Sequence, residues 1–435
     1  MIALSKRSEV KRSSSNRHPD LFVVSCIGQS KNGRGSKMKE VSHKTGILMF
    51  FTLFAAYVTF AASWVGGSNL GPQIIQTYFG HEVSPVLSQV VNYTITIARV
   101  VANFLAALFL MKLGIKRAGQ FALFLLSFSM IAIWMPNYWL YIAARMIMAL
   151  GGSMVMVYMN PIVVRFVSRD KKIFYSSFIT ASYNIGAFIM AIAFVFFADK
   201  MTHNWRLTLS CVAAFSIFFF IVWLLKAQNF ETSGGSEVKN DYSYGKAIKD
   251  PFVWKFALGF GAFLFLYVMT LTSLPPTLAS VYSDFKPGAM ICAVSGGGMV
   301  GTLLMLKIKV ERKRRPILLV LGSAAILAIG SAIFIAGVSP LMAYSLLFIS
   351  GIFLFSQYPI YLNIPHELPN MNPQKSTLLF GVIWALTYGF YTILNVIWSM
   401  ILGAGGLLSA NIFYIIVSMI YLVAIILLPE TYRKK

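Results

Sequence analysis

Twelve apolar stretches dominate this 435-residue sequence, each close to the length of about 20 residues that an α-helix needs to cross a bilayer. Only helices or closed barrels satisfy their backbone in lipid, and the ten-residue alternation of a barrel strand is absent from the sequence. We therefore predict an all-α integral membrane protein with twelve transmembrane helices, a multi-pass protein of the cell membrane. The predicted spans, numbered 1 to 12, are 46–66, 86–110, 119–135, 138–164, 174–198, 207–227, 253–281, 289–308, 317–337, 341–363, 377–403 and 410–428.

The spans divide into two groups of six. We predict an N-terminal half over 46–227, a polar cytoplasmic linker over 228–250, and a C-terminal half with a short tail over 251–435. The linker is rich in Gly, Ser and charged residues, a composition typical of connections between folded units. Two six-helix halves joined in this way are typical of a transporter whose binding site lies between the halves.

The basic residues predict the orientation. If the N-terminus is cytoplasmic, all but five of the 37 Lys and Arg residues fall in tails, linker or loops on the cytoplasmic side. Only Lys200, Arg206 and Lys286 fall on the opposite side, and two arginines lie inside spans. By the positive-inside rule, both termini are expected to face the cytoplasm. The net charge of +23 therefore describes topology, and no nucleic-acid partner is expected.

Residues 1–45 form a predicted basic cytoplasmic tail, rich in Ser and Arg over its first part. Three interpretations of residues 1–37 stay open: a targeting segment, a disordered tail attracted to anionic lipid, or an upstream extension before Met38.

Four short motifs occur where spans meet loops. The loop after span 2 carries Gly114, Lys116 and Arg117. The other motifs are Arg145 followed by Gly151-Gly152-Ser153 in span 4, Trp205-Arg206 at the start of span 6, and Asp250-Pro251 before span 7. Together with the arrangement of two times six spans, these motifs resemble the major facilitator superfamily over about residues 46–430.

This resemblance implies transport by alternating access between the halves, with Gly114, Lys116 and Arg117 in a gating loop. Met111 stands where the family's aspartate would be, so the usual charge relay of that loop is incomplete. The segment that begins at Glu367 and is followed by Phe380-Gly381 looks like that of cyanate-permease-type anion porters.

The charges inside the spans point to the solute. No Asp, Glu or His lies in the middle of a span, whereas Arg99 lies near the middle of span 2 and Arg145 in the outer third of span 4. An intramembrane arginine is costly and marks a functional site by default. Its planar fork suits carboxylates and other oxyanions, so both arginines are predicted to bind an anionic substrate. The alternative is that Arg99 donates to carbonyls, to Asn92 or Asn103, or to tyrosines, and holds helices together. For Arg145, the alternative is a structural and gating role, since its stretch recurs in that role in the family that the sequence resembles.

Polar residues on the spans that line the family's cavity complete the predicted substrate site. They are Tyr57, Asn160, Asn184, Tyr267, Tyr361 and Asn363. No metal site, cofactor or nucleotide-binding loop is expected, because the required His, Cys, acidic or Gly-Lys patterns are missing.

The predicted function is a secondary active or facilitative transporter of a small organic or inorganic anion, acting as a monomer in the lipid bilayer and not as an enzyme. The missing carboxylates favour uniport or anion exchange over proton antiport. The alternatives are an exporter of a hydrophobic or cationic compound with the same fold, and a transporter-fold sensor.

Overall fold

Every regular element that the computed structural model describes is helical. The described residues are 41–168, 171–230, 243–307, 312–369, 371 and 373–431. The first 40 residues, and with them the three interpretations of the tail, lie outside the described part of the chain, as does much of the predicted linker. The helices in chain order are α1 (His43–Asn69), α2 (Gly71–Phe79), α3 (Pro85–Ser88), α4 (Val90–Ile133), α5 (Tyr138–Phe166), α6 (Lys172–His203), α7 (Trp205–Lys226), α8 (Tyr244–Lys249), α9 (Pro251–Met269), α10 (Leu274–Val281), α11 (Pro287–Lys307), α12 (Arg314–Ile335), α13 (Pro340–Asn363), α14 (Pro373–Ser418) and α15 (Ile420–Leu427), with a 3₁₀ turn (Ile364–Glu367) after α13.

Ten membrane-length apolar helices lie in the described residues, which confirms the all-helical membrane fold. Two of these stretches are much longer than one bilayer crossing: α4, with 44 residues, and Leu378–Leu427, with 50 residues, which includes most of α14 and all of α15. Each contains one glycine that leaves the helical conformation with positive φ, Gly114 (70°) in α4 and Gly406 (73°) in α14. Dividing the chain there gives segments of about 20 residues or more, as predicted for spans 2, 3, 11 and 12. These two breaks support the count of twelve, which stays a prediction together with the side of the termini.

The first span of each half is interrupted near its outer end, where inner and outer denote the predicted cytoplasmic side and its opposite. α1 ends at Asn69 and α2 begins at Gly71, while α9 ends at Met269 and α10 begins at Leu274. Both second pieces carry proline in their first turn, where its missing N–H costs least. Span 7 was predicted as one stretch, and the structure corrects this to two helices joined by a turn.

The two predicted halves meet mainly along two helix pairs, α6 against α11 and α4 against α14, and the short α3 also contacts α14. Within the second half, α11 and α13 touch backbone to backbone, because an added Cβ on Gly297 would lie 2.0 Å from the carbonyl oxygen of Phe348. Small residues that allow such close approach drive helix association in lipid. This packing leaves a central space between the halves, bordered by α1, α4, α5, α6, α9, α13 and α14.

Candidate substrate-binding site

A cavity of about 40 Å³ lies between the two halves, in the middle of the bundle. Eight of its fourteen lining residues are aromatic, and both halves contribute to the lining. The lining residues are Tyr57, Trp64, Arg99, Met156, Ile179, Thr180, Tyr183, Leu264, Tyr267, Val268, Phe355, Tyr358, Trp384 and Tyr388. Since a site for a drug-sized ligand measures about 300–1,000 Å³, this cavity is contracted and must widen to hold a solute.

A larger groove of about 640 Å³ runs between α6, α11 and α13. Its lining is apolar apart from the thiol of Cys292. It offers no charged group to orient a polar solute, so the central cavity is the candidate site.

Among the described residues that line the cavity, Arg99 alone is charged, and it is 3% exposed. Nη2 donates to the hydroxyl of Tyr57 at 3.0 Å. Nε and Nη1 have no acceptor among the described residues. Either nitrogen, together with the second N–H of Nη2, presents two donors of the kind that pair with a carboxylate. Arg99 and Tyr57, both predicted for the substrate site, lie together in the cavity lining, and their hydrogen bond is also the tyrosine contact expected by the structural alternative for Arg99.

Aromatic rings surround the Arg99 guanidinium. Its central carbon lies 4.5 Å from the ring centre of Tyr388 and 5.4 Å from that of Trp64, with Tyr57 and Phe60 at 6.0 and 5.5 Å. A desolvated cation over aromatic faces gains about 2 kcal/mol or more, which offsets part of the cost of burying the charge. Asn92, one of the partners considered for a purely structural Arg99, bonds instead to Trp64, Ser68 and Gln89.

Tyr267 and Asn184 join the two halves beside the cavity. The hydroxyl of Tyr267, on α9, donates to the Oδ1 atom of Asn184, on α6. Tyr267 lines the cavity, whereas Asn184 lies behind it, with its Nδ2 atom unpaired and close to Gly298. Tyr183, next to Asn184 in the chain, places in the same wall a buried hydroxyl that has no partner among the described residues.

Arg145 is fixed to α1 and does not line the cavity. Nη1 donates to the hydroxyl of Ser63 at 2.7 Å, and Nη2 donates to the carbonyl of Ser63 at 2.9 Å. The side chain is 1% exposed and packs against Gly67, where an added Cβ would lie 2.5 Å from Nη2. The geometry favours a role in holding α5 to α1 over the predicted contact with substrate.

We expect Arg145→Gln to lower the free energy of unfolding by about 2 kcal/mol, because it removes two hydrogen bonds between buried helices. The substrate concentration for half-maximal uptake should stay unchanged. Thermal unfolding in detergent and uptake by reconstituted vesicles measure the two effects. Arg165→Gln, at an exposed position near the inner end of the same helix, is the matched control and should change neither. A folded Arg145→Gln protein with normal stability and weakened substrate binding would return Arg145 to the substrate site.

The other three predicted site residues lie away from the cavity. Tyr361 is 1% exposed and donates to the carbonyl of Phe256 at 3.0 Å, within the second half. Asn160 and Asn363 are exposed near the inner ends of α5 and α13. The structure does not bring these residues together with Arg99.

The predicted gating loop is anchored within the first half. Gly114 forms the turn with φ of 70°, and the Lys116 N–H donates to the side-chain oxygen of Asn229 at 3.0 Å. The Lys116 carbonyl accepts from the indole of Trp223 at 3.0 Å, while Arg117 is exposed. Trp223 lies in α7 and Asn229 follows the end of that helix, so the loop is held to its own half. Its gating role stays a prediction.

In the second half, acidic residues hold the inner end of α12. The Glu430 carboxylate accepts from the backbone N–H groups of Arg314 and Arg315, at 2.9 and 3.0 Å. Arg314 also forms an ion pair of 2.8 Å with Glu367. A carboxylate on the first N–H groups of a helix caps donors that have no partner in the helix. This cluster was not predicted from the sequence, because its members are distant in the chain.

Amide side chains join the two predicted halves near their predicted outer ends. Asn69 donates to the carbonyl of Leu271 at 2.9 Å, in the turn between α9 and α10. Ser273, in the same turn, donates to the Oε1 atom of Gln89 at 2.8 Å. The sequence signal that could have located these contacts is the proline in the first turn of α2 and of α10. It marks the two breaks, and the turn before α10 brings polar backbone groups within reach of the first half.

Comparison with known proteins agrees with the membrane-transporter architecture. The model of the Mycoplasma MFS transporter family matches residues 141–403. An uncharacterized protein of Mesomycoplasma hyopneumoniae strain J is 24% identical over 406 residues, with 84% of each chain covered. A major facilitator superfamily transporter of Mycoplasma pneumoniae is 25% identical over 304 residues, which cover 64% of this chain and 55% of that protein.

Solved structures share the fold at low sequence identity. The crystal structure of a D-xylose–proton symporter matches with a TM-score of 0.70 and 15% identity, covering 91% of this chain and 100% of that chain. A nucleoside transporter matches with a TM-score of 0.66 and 13% identity, covering 87% of this chain and 98% of that chain.

Proposed function

This chain belongs to the Mycoplasma family of major facilitator superfamily transporters, and from that premise we propose that it carries a small organic or inorganic anion by alternating access. Members of this superfamily are multi-pass membrane transporters of small solutes and not enzymes. The anionic charge of the solute, its contact with Arg99 and the alternating motion of the halves are our proposals. Arg145, Asn160, Tyr361 and Asn363 are outside the proposed contact set.

The observation that carries the proposal is the buried Arg99 with two nitrogens free of acceptors at a central cavity. The six carboxylates among the described residues lie at helix ends or in connections, so none neutralises this charge inside a span. Two unit charges 4 Å apart interact by about 4 kcal/mol at an effective dielectric constant of 20. An anion in the cavity gains this energy, and a cation loses it.

The buried charge of Arg99, and the lack of an in-span carboxylate among the described residues, also disfavour two of the alternatives, cation export and proton coupling. A cationic substrate would meet an uncompensated positive charge, which disfavours an exporter of cations. The lack of a carboxylate beside the cavity favours uniport or exchange, because proton coupling in membrane proteins commonly uses Asp, Glu or His relays. A sensor would bind the anion and produce no net movement of solute, so flux separates it from a carrier.

Uptake by vesicles reconstituted with the purified protein tests the proposal. The probes are benzenesulfonate, methanesulfonate, inorganic phosphate, xylose and tetraethylammonium, each compared with protein-free vesicles. We expect uptake of at least one anion above background and no uptake of tetraethylammonium. Uptake of xylose or tetraethylammonium without uptake of any anion would overturn anion transport, and anion binding without flux would favour the sensor.

A further inference from the structure

We propose, resting on the proposed function, that the transported anion is an aromatic oxyanion, a planar ring bearing a carboxylate, sulfonate or phosphate group. The proposal names the part of the substrate that Arg99 does not bind. It depends on three features of the central cavity: a continuous aromatic wall, the lack of carboxylate and amide side chains among the described lining residues, and the position of the Arg99 charge.

The aromatic wall crosses the boundary between the halves through rings in successive contact. Trp64 and Tyr183, from the first half, have ring centres 5.5 Å apart at an interplanar angle of 77°. Tyr183 contacts Tyr267 of the second half at 6.1 Å, and Tyr267 contacts Phe355 at 4.9 Å. The wall continues to Tyr358 at 5.6 Å. Rings pair with other rings in such edge-to-face and tilted arrangements, so the wall offers matching surface to an aromatic solute.

Apart from Arg99, the polar groups of the cavity lining are the hydroxyls of tyrosines and of one threonine and the N–H groups of two tryptophans. The Tyr267 hydroxyl donates to Asn184, and the Thr180 hydroxyl donates to the carbonyl of Ser176 at 3.2 Å. The described part of the chain contributes no Asn, Gln, Asp or Glu to the cavity lining. A sugar acid carries several hydroxyls, each of which loses affinity if it is buried without a partner. An aromatic ring makes no such demand.

The charge lies at one side of this aromatic surface. Arg99 stands over Tyr388, and the Tyr388 ring stacks on half-buried Trp384 at 5.7 Å and 21°. An oxyanion paired with the Arg99 donors would bring an attached ring next to these faces. The contracted cavity of about 40 Å³ is below the roughly 150 Å³ of an apolar cavity known to admit benzene. The ring is therefore accommodated only when the halves separate from this closed arrangement.

Matched anions test the aromatic requirement in the reconstituted wild-type protein. Benzenesulfonate and methanesulfonate carry the same permanently ionised group, and glucuronate adds hydroxyls in place of the aromatic ring. We expect benzenesulfonate uptake to exceed that of methanesulfonate and of glucuronate at least tenfold at equal low concentration. Equal or faster uptake of methanesulfonate or glucuronate would overturn the aromatic inference while anion transport still stood. Uptake of xylose or tetraethylammonium alone would overturn anion transport and the aromatic inference together.

A substitution in the aromatic surface gives a second readout. Trp384→Leu should reduce the preference for benzenesulfonate over methanesulfonate several-fold, and Trp384→Phe should retain most of it. Trp139→Leu is the matched control, because Trp139 is 61% exposed at the start of α5 and far in sequence from the cavity lining. An unchanged preference in folded Trp384→Leu protein would count against the aromatic surface as the source of selectivity. If neither variant at position 384 folds, the comparison of wild-type uptake rates decides alone.

Discussion

Replacing Arg99 by glutamine is expected to lower anion uptake about 30-fold or more without unfolding the protein. Truncating one member of a buried, hydrogen-bonded charge pair costs about 2–5 kcal/mol, and each 1.4 kcal/mol is a factor of ten. The stability of the empty protein should stay the same or rise, since the substitution removes a buried charge that has only the Tyr57 hydroxyl as hydrogen-bond partner. Anion uptake is therefore expected to fall while the free energy of unfolding does not.

This pairing of readouts separates a substrate contact from a structural one. If Arg99 merely held helices together, Arg99→Gln would lower the melting temperature and the uptake rate in parallel. Arg99→Lys keeps the charge and loses the planar fork, so it should retain part of the uptake. Arg165→Gln again serves as the exposed control. Wild-type anion uptake by a folded Arg99→Gln protein would remove Arg99 from the proposed mechanism.

Hydropathy predicted the membrane fold because the bilayer imposes a length and a composition on each span. The connections predicted between spans 2 and 3 and between spans 11 and 12 are very short in the structure. Each is a break at a single residue, Gly114 in α4 and Gly406 in α14. Prolines in the interior of a helix were a poor guide to the breaks, whereas prolines directly after a break mark the start of α2 and α10. Pro161 and Pro359 lie inside continuous helices, whereas the real interruptions follow Asn69 and Met269. A proline within a membrane helix is tolerated when its neighbours satisfy the freed backbone group.

The two arginines illustrate what the sequence could not separate. Arg99 and Arg145 give the same signal, a cation inside an apolar span, and both are buried in the structure. Only the packing distinguishes them. Ser63 of α1 accepts from both Nη atoms of Arg145, whose Nε has no acceptor among the described residues, while Arg99 faces a space between the halves. Which side of a helix meets a cavity depends on the rotation of neighbouring helices, and a nearly uniform apolar span carries little periodicity to fix it.

The second large effect is expected from Gly297, where α11 touches α13. We expect Gly297→Ala to lower the free energy of unfolding by about 3 kcal/mol, because the added Cβ would lie 2.0 Å from the Phe348 carbonyl oxygen and the helices must move apart. Gly301 lies one turn away, with its own added Cβ 2.5 Å from the Ile352 carbonyl. On α13, an added Cβ at Gly351 would lie 2.3 Å from the Val294 carbonyl oxygen. The contact therefore extends over more than one helical turn, and no flexible side chain can relieve it.

Gly389→Ala is the matched control for this contact. Gly389 also lies inside a helix of the second half, α14, and an added Cβ there would meet nothing within 4 Å. The same chemical change should be neutral or stabilising by about 0.5–1 kcal/mol, since alanine restricts the unfolded chain more than glycine does. Thermal unfolding of both variants in detergent is monitored by the loss of helical signal. The difference between the two midpoint temperatures reports the free-energy cost of separating α11 from α13. Equal effects of the two substitutions would mean that the backbone contact between these helices contributes nothing to stability.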